Sequence, residues 1–238
     1  GNIISIFYLT NLLMKFFQKM SQMRLVLLVA AFITLTGNFT FFEQAILIFP
    51  LEKNFLFVSS LIIWLFTFLS ALLILACYRY TLTPILIFLL ISSSIASYAT
   101  NNYGIIINEH MIASIIETNA AETFDLFSIK LVIYVLLLGV TPSYFVAKTN
   151  IGRPSVQMQL KQRLKALVGV SLLCVLVIVS FSKDYTALAR ENRDLRYYVN
   201  PTYYLYAVAK YIDSQFEVAE VPFKQVGMDA QIYHNDQT

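Results

Sequence analysis

Apolar positions in this chain fall into five long runs, each bounded by titratable residues and separated from the next by a polar connector. A bilayer core takes about 20 mostly apolar residues per helix. The runs predict spans at residues 25–48, 54–78, 82–100, 126–147 and 166–182. The fourth and fifth have clean apolar stretches of only 17 residues, so their ends are the least defined. The predicted fold class is an all-α membrane protein: five transmembrane helices, with interfacial helices lying against them.

Composition sharpens this. Of 238 residues, 58% are hydrophobic and 13% charged, with a mean hydropathy of +0.67. Soluble domains run about 45–50% apolar and about 25% charged, so one compact soluble core could not hide this much apolar side chain. Disorder and low complexity are excluded on the same numbers. Cys77 and Cys174 both lie in apolar runs, which excludes a disulfide framework and a thiolate metal site.

The charges set an orientation. Lys15, Lys19 and Arg24 precede the first span, Arg79 lies between the second and third, and Lys148, Arg153, Lys161, Arg163 and Lys165 lie between the fourth and fifth. No acidic residue accompanies these nine. The opposite loops hold Glu43, Glu52, Glu109, Glu117, Glu122 and Asp125 against Lys53 and Lys130. The excess of Lys and Arg in cytoplasmic loops places the N-terminus in the cytoplasm and the C-terminus outside. Topology and attraction to an anionic leaflet explain the basic loop at 148–165, so no nucleic-acid partner is expected.

Residues 1–24 then form a cytoplasmic or interfacial segment, and 25–182 the five-helix domain with an outer helical loop over 101–125. Residues 183–220 form bridging helices, broken at Asn200-Pro201 because proline disfavours helical geometry in the residue before it. Tyr203, Tyr204, Tyr206 and Tyr211 suit a headgroup-level aromatic belt. Residues 221–238 turn polar and suggest a linker.

The outer loop is the most informative stretch. His110, Ser114, Thr118 and Glu122 recur every four residues, so on a helix they share one face. Ser114, Thr118 and Glu122 span an arc of about 80°, flanked by apolar Met111, Ile112, Ile115 and Ile116. A solvated face on an interfacial helix is the plain explanation. The functional one is a lipid-headgroup site, with Glu122 accepting hydrogen bonds from an ammonium and Thr118 and Ser114 offering hydroxyls to a phosphate. Two histidines far apart in sequence, with no HExxH, paired-Cys, P-loop or GxSxG motif, supply no catalytic set and no metal site. Asn38-Phe39-Thr40 matches a glycosylation sequon but falls within a predicted span and is discounted.

Three segments carry a resemblance: YGIIINEHMIASIIETNAAETFDL at 103–126, KDYTALARENRDLRYYVNPT at 183–202 and VPFKQVGMDA at 221–230. In this order and spacing the chain resembles the lipid A phosphoethanolamine transferases, the family that includes the mobile colistin-resistance enzymes. The resemblance extends from Arg24 onward. It implies a bacterial inner-membrane protein, expected to be a monomer, whose membrane domain anchors an enzyme with phosphatidylethanolamine as donor and lipid A phosphate as acceptor. Added ammonium lowers the acceptor's negative charge and weakens polycationic antibiotic binding.

In the family a zinc-bound threonine in a separate periplasmic domain performs the transfer. The resemblance therefore implies that this chain binds no cofactor, that zinc belongs to a catalytic domain beyond residue 238, and that these residues alone are inactive. Thr118 and Glu122 match family lipid-site positions, and Ser114 stands where the family usually has Asn. Another acceptor (core heptose, a periplasmic glucan or a protein) and a non-catalytic scaffold or channel are the alternatives. A pore would place ionisable residues within its spans, whereas these charges cluster at span ends.

Overall fold

The structure, a computed structural model, describes residues 20–78, 80–117, 128–152 and 155–217. Among these residues there is no strand beyond one isolated bridge between Met20 and Ile151. Among them four helices are long and apolar enough to cross a membrane, and the count is five with the bent pair over residues 22–48 taken as one span.

The bent pair comes first: α1 (Gln22–Gly37) and α2 (Phe39–Ile48), set 59° apart. Ser21 caps α1, its Oγ accepting from the Arg24 amide at 3.3 Å. Near the bend, Thr34 and Thr36 donate back to the Ala30 and Phe32 carbonyls at 2.8 and 2.7 Å. Such back-bonding bends helices, and Gly37 is a weak helix former. The next two spans are α3 (Leu51–Ala76), which starts after Pro50, and α4 (Leu82–Tyr103), which ends at Gly104. Gly104 has φ +63°, the left-handed geometry that lets a helix stop.

The fourth span is composite: α6 (Ile129–Val135), a π-helical turn (Leu136–Val140) and α7 (Thr141–Lys148), preceded in the chain by the short helix α5 (Glu109–Glu117). Pro142 cannot donate into the ladder, and the widened turn lies just before it. Gly139 in that turn packs so closely on α4 that a Cβ there would come 2.5 Å from Ser94 Oγ. Small residues permit this approach, as they do between helices in membranes. Two hydroxyl pairs fasten the same seam, Ser97 to Tyr134 at 3.0 Å and Ser128 to Tyr98 at 2.7 Å.

The fifth span, α8 (Val156–Ser180), lies against α3 and extends well before residue 166, into the basic stretch. Gln159 reaches the buried Gln22 amide oxygen at 3.1 Å, and the Arg163 guanidinium donates to the last carbonyls of α3, Ile74 and Leu75.

After α8 the chain turns back along α3. It forms α9 (Ser182–Glu191), a 3₁₀ segment (Arg193–Tyr198) and α10 (Thr202–Glu217). In α9, Tyr185 lies edge-on to Phe57 at 5.3 Å, its hydroxyl 3.1 Å from Ser60 Oγ. Burial pushes the Tyr185 phenol up to about 12, with the Ser60 bond pulling the other way. Leu195 and Val199 join the buried core of α1, α3 and α4.

Asn200 then meets Asn38 at the α1–α2 break, both side chains buried. Asn38 Nδ2 donates to the Ile33 and Asn200 carbonyls at 3.0 and 2.9 Å, and the Asn200 amide donates to Asn38 Oδ1 at 2.8 Å. Asn200 Nδ2 donates to the Gly37 and Ser93 carbonyls at 3.0 and 2.9 Å. Backbone of two spans, α1 and α4, and of the bridging segment is thereby joined by two amide side chains. It also explains why Asn38 is unsuited to glycosylation: its side chain is committed inside the fold.

Replacing Asn38 or Asn200 by Ala orphans buried groups on the other, at about 1–3 kcal/mol each. In thermal or denaturant unfolding in detergent, the double variant is expected to lose about 0.5–3 kcal/mol less than the sum of the single variants. Strict additivity would mean that the two asparagines do not act together.

Candidate functional site

The segment that carries the polar stripe begins as a capped helix. Asn108 Oδ1 accepts from the Met111 amide at 2.9 Å, closing the first turn of α5. Glu109 sits in that turn, where the helix dipole favours a carboxylate. Its Oε2 meets Lys210 Nζ of α10 at 2.6 Å, and its Oε1 lies 3.7 Å from the Nε2 of the exposed His110. α5 and α10 pack together, so this ion pair holds the stripe-bearing helix to the bridging segment. The hydrogen bond that Lys210 donates to Glu109 is the main cause that raises the Lys210 pKa above the ordinary 10.5.

Of the three stripe residues, the structure places Ser114. It is exposed on α5, and its hydroxyl donates to the His110 carbonyl at 2.9 Å. Thr118 and Glu122 lie outside the described residues. The apolar flank is uneven: Met111 and Ile112 are half-buried, whereas Ile115 and Ile116 are 50% and 61% exposed. Apolar side chains at that exposure suit a lipid-facing surface.

Beside α5, an open groove of about 450 Å³ runs along α10, lined by Arg196, Tyr197, Thr202, Tyr203, Tyr206 and Lys210. Tyr197 and Tyr203 lie 5.0 Å apart, and Tyr203 and Tyr206 6.4 Å apart. The Arg196 guanidinium sits 5.1 Å over the Tyr197 ring and donates to its hydroxyl at 3.3 Å. Burial is the main cause that raises the Tyr203 phenol. The tyrosines do not form a uniform belt. Tyr204 points inward to Ser92 at 2.6 Å, and burial outweighs that bond in raising its pKa. Tyr206 is 61% exposed.

Sequence reasoning missed the Glu109–Lys210 pair and the asparagine clasp. Lys210 offered only a lone cation among tyrosines. Asn38 did signal: an amide inside an apolar run must find a partner, and that partner lies 162 residues away. Among the described residues, no three His, Cys, Asp or Glu side chains converge to hold a metal ion.

Comparison with known proteins bears on this arrangement. The family profile described as "Phosphoethanolamine transferase EptA/EptB" matches residues 65–216, from α3 to the end of α10. The chain is 35% identical over 206 residues to the phosphatidylethanolamine transferase Mcr-1 of Escherichia coli, covering 86% of this chain and 38% of that protein. It is 28% identical over 215 residues to the phosphoethanolamine transferase EptA of Salmonella typhimurium, covering 89% of this chain and 39% of that one. Among solved structures, the integral membrane lipooligosaccharide phosphoethanolamine transferase A (EptA) of Neisseria meningitidis superposes with a TM-score of 0.82 at 20% identity. That match covers 92% of this chain and 41% of the other, and it concerns the fold. The chain thus spans about four-tenths of the length of these relatives.

If the ion pair persists in solution, Lys210 titrates above 10.5 and returns toward it in Glu109→Gln. Because the folded-state value is raised, the pair's contribution is complete below the ordinary lysine value and fades as pH rises past it. NMR titration of the Lys210 ammonium reads this directly. Equal midpoints in both proteins would mean that Glu109 and Lys210 are not paired.

Proposed function

Because the chain belongs to the phosphoethanolamine transferase EptA/EptB family, we propose that it anchors such an enzyme and presents the donor lipid, phosphatidylethanolamine, for transfer to a lipid A phosphate. The fold is that of a multi-pass inner-membrane protein. The N-terminus is cytoplasmic, and the face bearing α5 and α10 is periplasmic, in keeping with the basic residues at the opposite face.

The donor's two charges are met separately in this proposal. Glu122 accepts from the ammonium, and the Thr118 and Ser114 hydroxyls serve the phosphate oxygens. Bonds to ionised groups are the strong ones, so Glu122 contributes most to holding the donor. Ser114 is shorter than the asparagine usual in the family and supplies a hydroxyl in place of an amide. The 238 residues alone carry out no transfer.

The profile match over 65–216 is the observation that carries this proposal, since it takes in α5, α10 and the loop between α4 and α6. The name of one relative, phosphatidylethanolamine transferase, supplies the donor class.

In the full-length protein, Glu122→Gln is expected to cut lipid A modification about tenfold to a hundredfold at unchanged expression, the range for losing a charge-assisted hydrogen bond. Mass spectrometry of extracted lipid A measures it, and wild-type modification would remove Glu122 from the site. Ser114→Asn is expected to keep or raise activity in the same assay. Inactivation would show that the hydroxyl contact cannot be replaced by an amide.

A further inference from the structure

A second groove, separate from the polar stripe, lies between the returning segment and the spans. Its apolar wall is Phe41 of α2, Trp64 of α3, and Leu188 and Leu195 of the bridging segment, and its volume is about 440 Å³. That is the size of a small-molecule site. Arg193 and Arg196 also line it, and among the described residues no acidic side chain does. On the 3₁₀ segment, residues three apart eclipse, so Arg193 and Arg196 leave the backbone on one edge, Arg196 at the boundary with the tyrosine groove.

Depth makes the pair unusual. Trp64 lies ten residues past the kink at Asn54 in α3, about 15 Å along the helix from it. Arginine beside the middle of a span is costly unless it faces a counter-ion or a polar cavity. Among the described residues neither Arg193 nor Arg196 is ion-paired; Arg196 donates only to Tyr197. An anion that also carries apolar chains meets both needs of this groove at once.

We propose that the groove binds an anionic membrane lipid through its phosphate, with Arg193 and Arg196 as the phosphate fork and Trp64 and Phe41 against its acyl chain. Guanidinium groups match phosphate oxygens bidentately. A zwitterionic headgroup fits less well, because its ammonium would approach two like charges, and the carboxylate nearest them in sequence, Asp194, is not among the described residues lining the groove. If the donor site is the stripe at Ser114, Thr118 and Glu122, the molecule sorts two lipids by charge, the zwitterion to the carboxylate and the anion to the arginines. The sorting role rests on the function proposed above; the binding itself does not.

Trp64 is the chain's single tryptophan, so its emission reports on this groove. The protein is reconstituted in phosphatidylcholine vesicles containing either dibrominated phosphatidic acid or dibrominated phosphatidylethanolamine at matched mole fractions. Half-quenching is expected at about tenfold lower phosphatidic acid, the effect of one charge-assisted bond. The preference should vanish in Arg193→Gln/Arg196→Gln with Trp64 emission in pure phosphatidylcholine unchanged. If that emission shifts, the Arg193→Lys and Arg196→Lys variants replace it and should each weaken the preference without abolishing it. Equal quenching by the two lipids in the wild type overturns the proposal, as does a preference that the arginine variants leave intact. No transfer is needed, so failure here leaves the donor site standing, and failure of Glu122→Gln leaves this groove standing.

Discussion

A bilayer interior offers no water to a broken helix, so every carbonyl freed at a bend must find a donor within the protein. The break at Gly37–Asn38 is where this constraint bears hardest. The Ile33 carbonyl accepts from Asn38, and the Gly37 carbonyl from Asn200. A segment from the far end of the chain thus completes the first span. Without it, a 59° bend between two apolar helices would leave buried polar backbone unpaired. With it, the chain after the fifth span is fixed in register against α1, α3 and α4.

The rest of the outer architecture is positioned by that clasp. Leu195 and Val199 are buried just before Asn200, and Tyr204 and Ala207 just after it. Alternate faces of the segment are therefore committed to the core, which turns Arg193 toward one groove and Tyr203, Tyr206 and Lys210 toward the other, with Arg196 on the edge the two grooves share. Lys210 then holds α5 through Glu109. A chain of contacts runs from a bend inside a span to the helix that carries Ser114. In the function proposed here, this is how a lipid site at the membrane boundary is kept in place.

Much of this could be read from the sequence. Apolar runs bounded by charge marked the spans, because the bilayer imposes a length on each. The four-residue recurrence from His110 marked a helix face, and α5 forms there. What escaped was long-range or shared between elements. No periodicity points from Asn38 to Asn200, since each amide is explained only by the other. The π turn at Leu136–Val140 depends on Pro142 and on Ser94 of a neighbouring helix, a pairing that local pattern does not contain. Nothing in the sequence around Arg193 and Arg196 points to Trp64, and only the return of the chain along α3 places them beside it. The far end of the stripe, Thr118 and Glu122, lies outside the described residues.

The central claim is that residues 193–205 are part of the membrane-domain core and not a helix resting on its surface. Amide hydrogen exchange on the protein in lipid nanodiscs tests it most directly. Peptides covering Leu195 to Leu205 are expected to exchange as slowly as those from α3 and α4, because their opening requires the clasp to break. Exchange of that stretch at the rate of the exposed end of α9 would contradict the account.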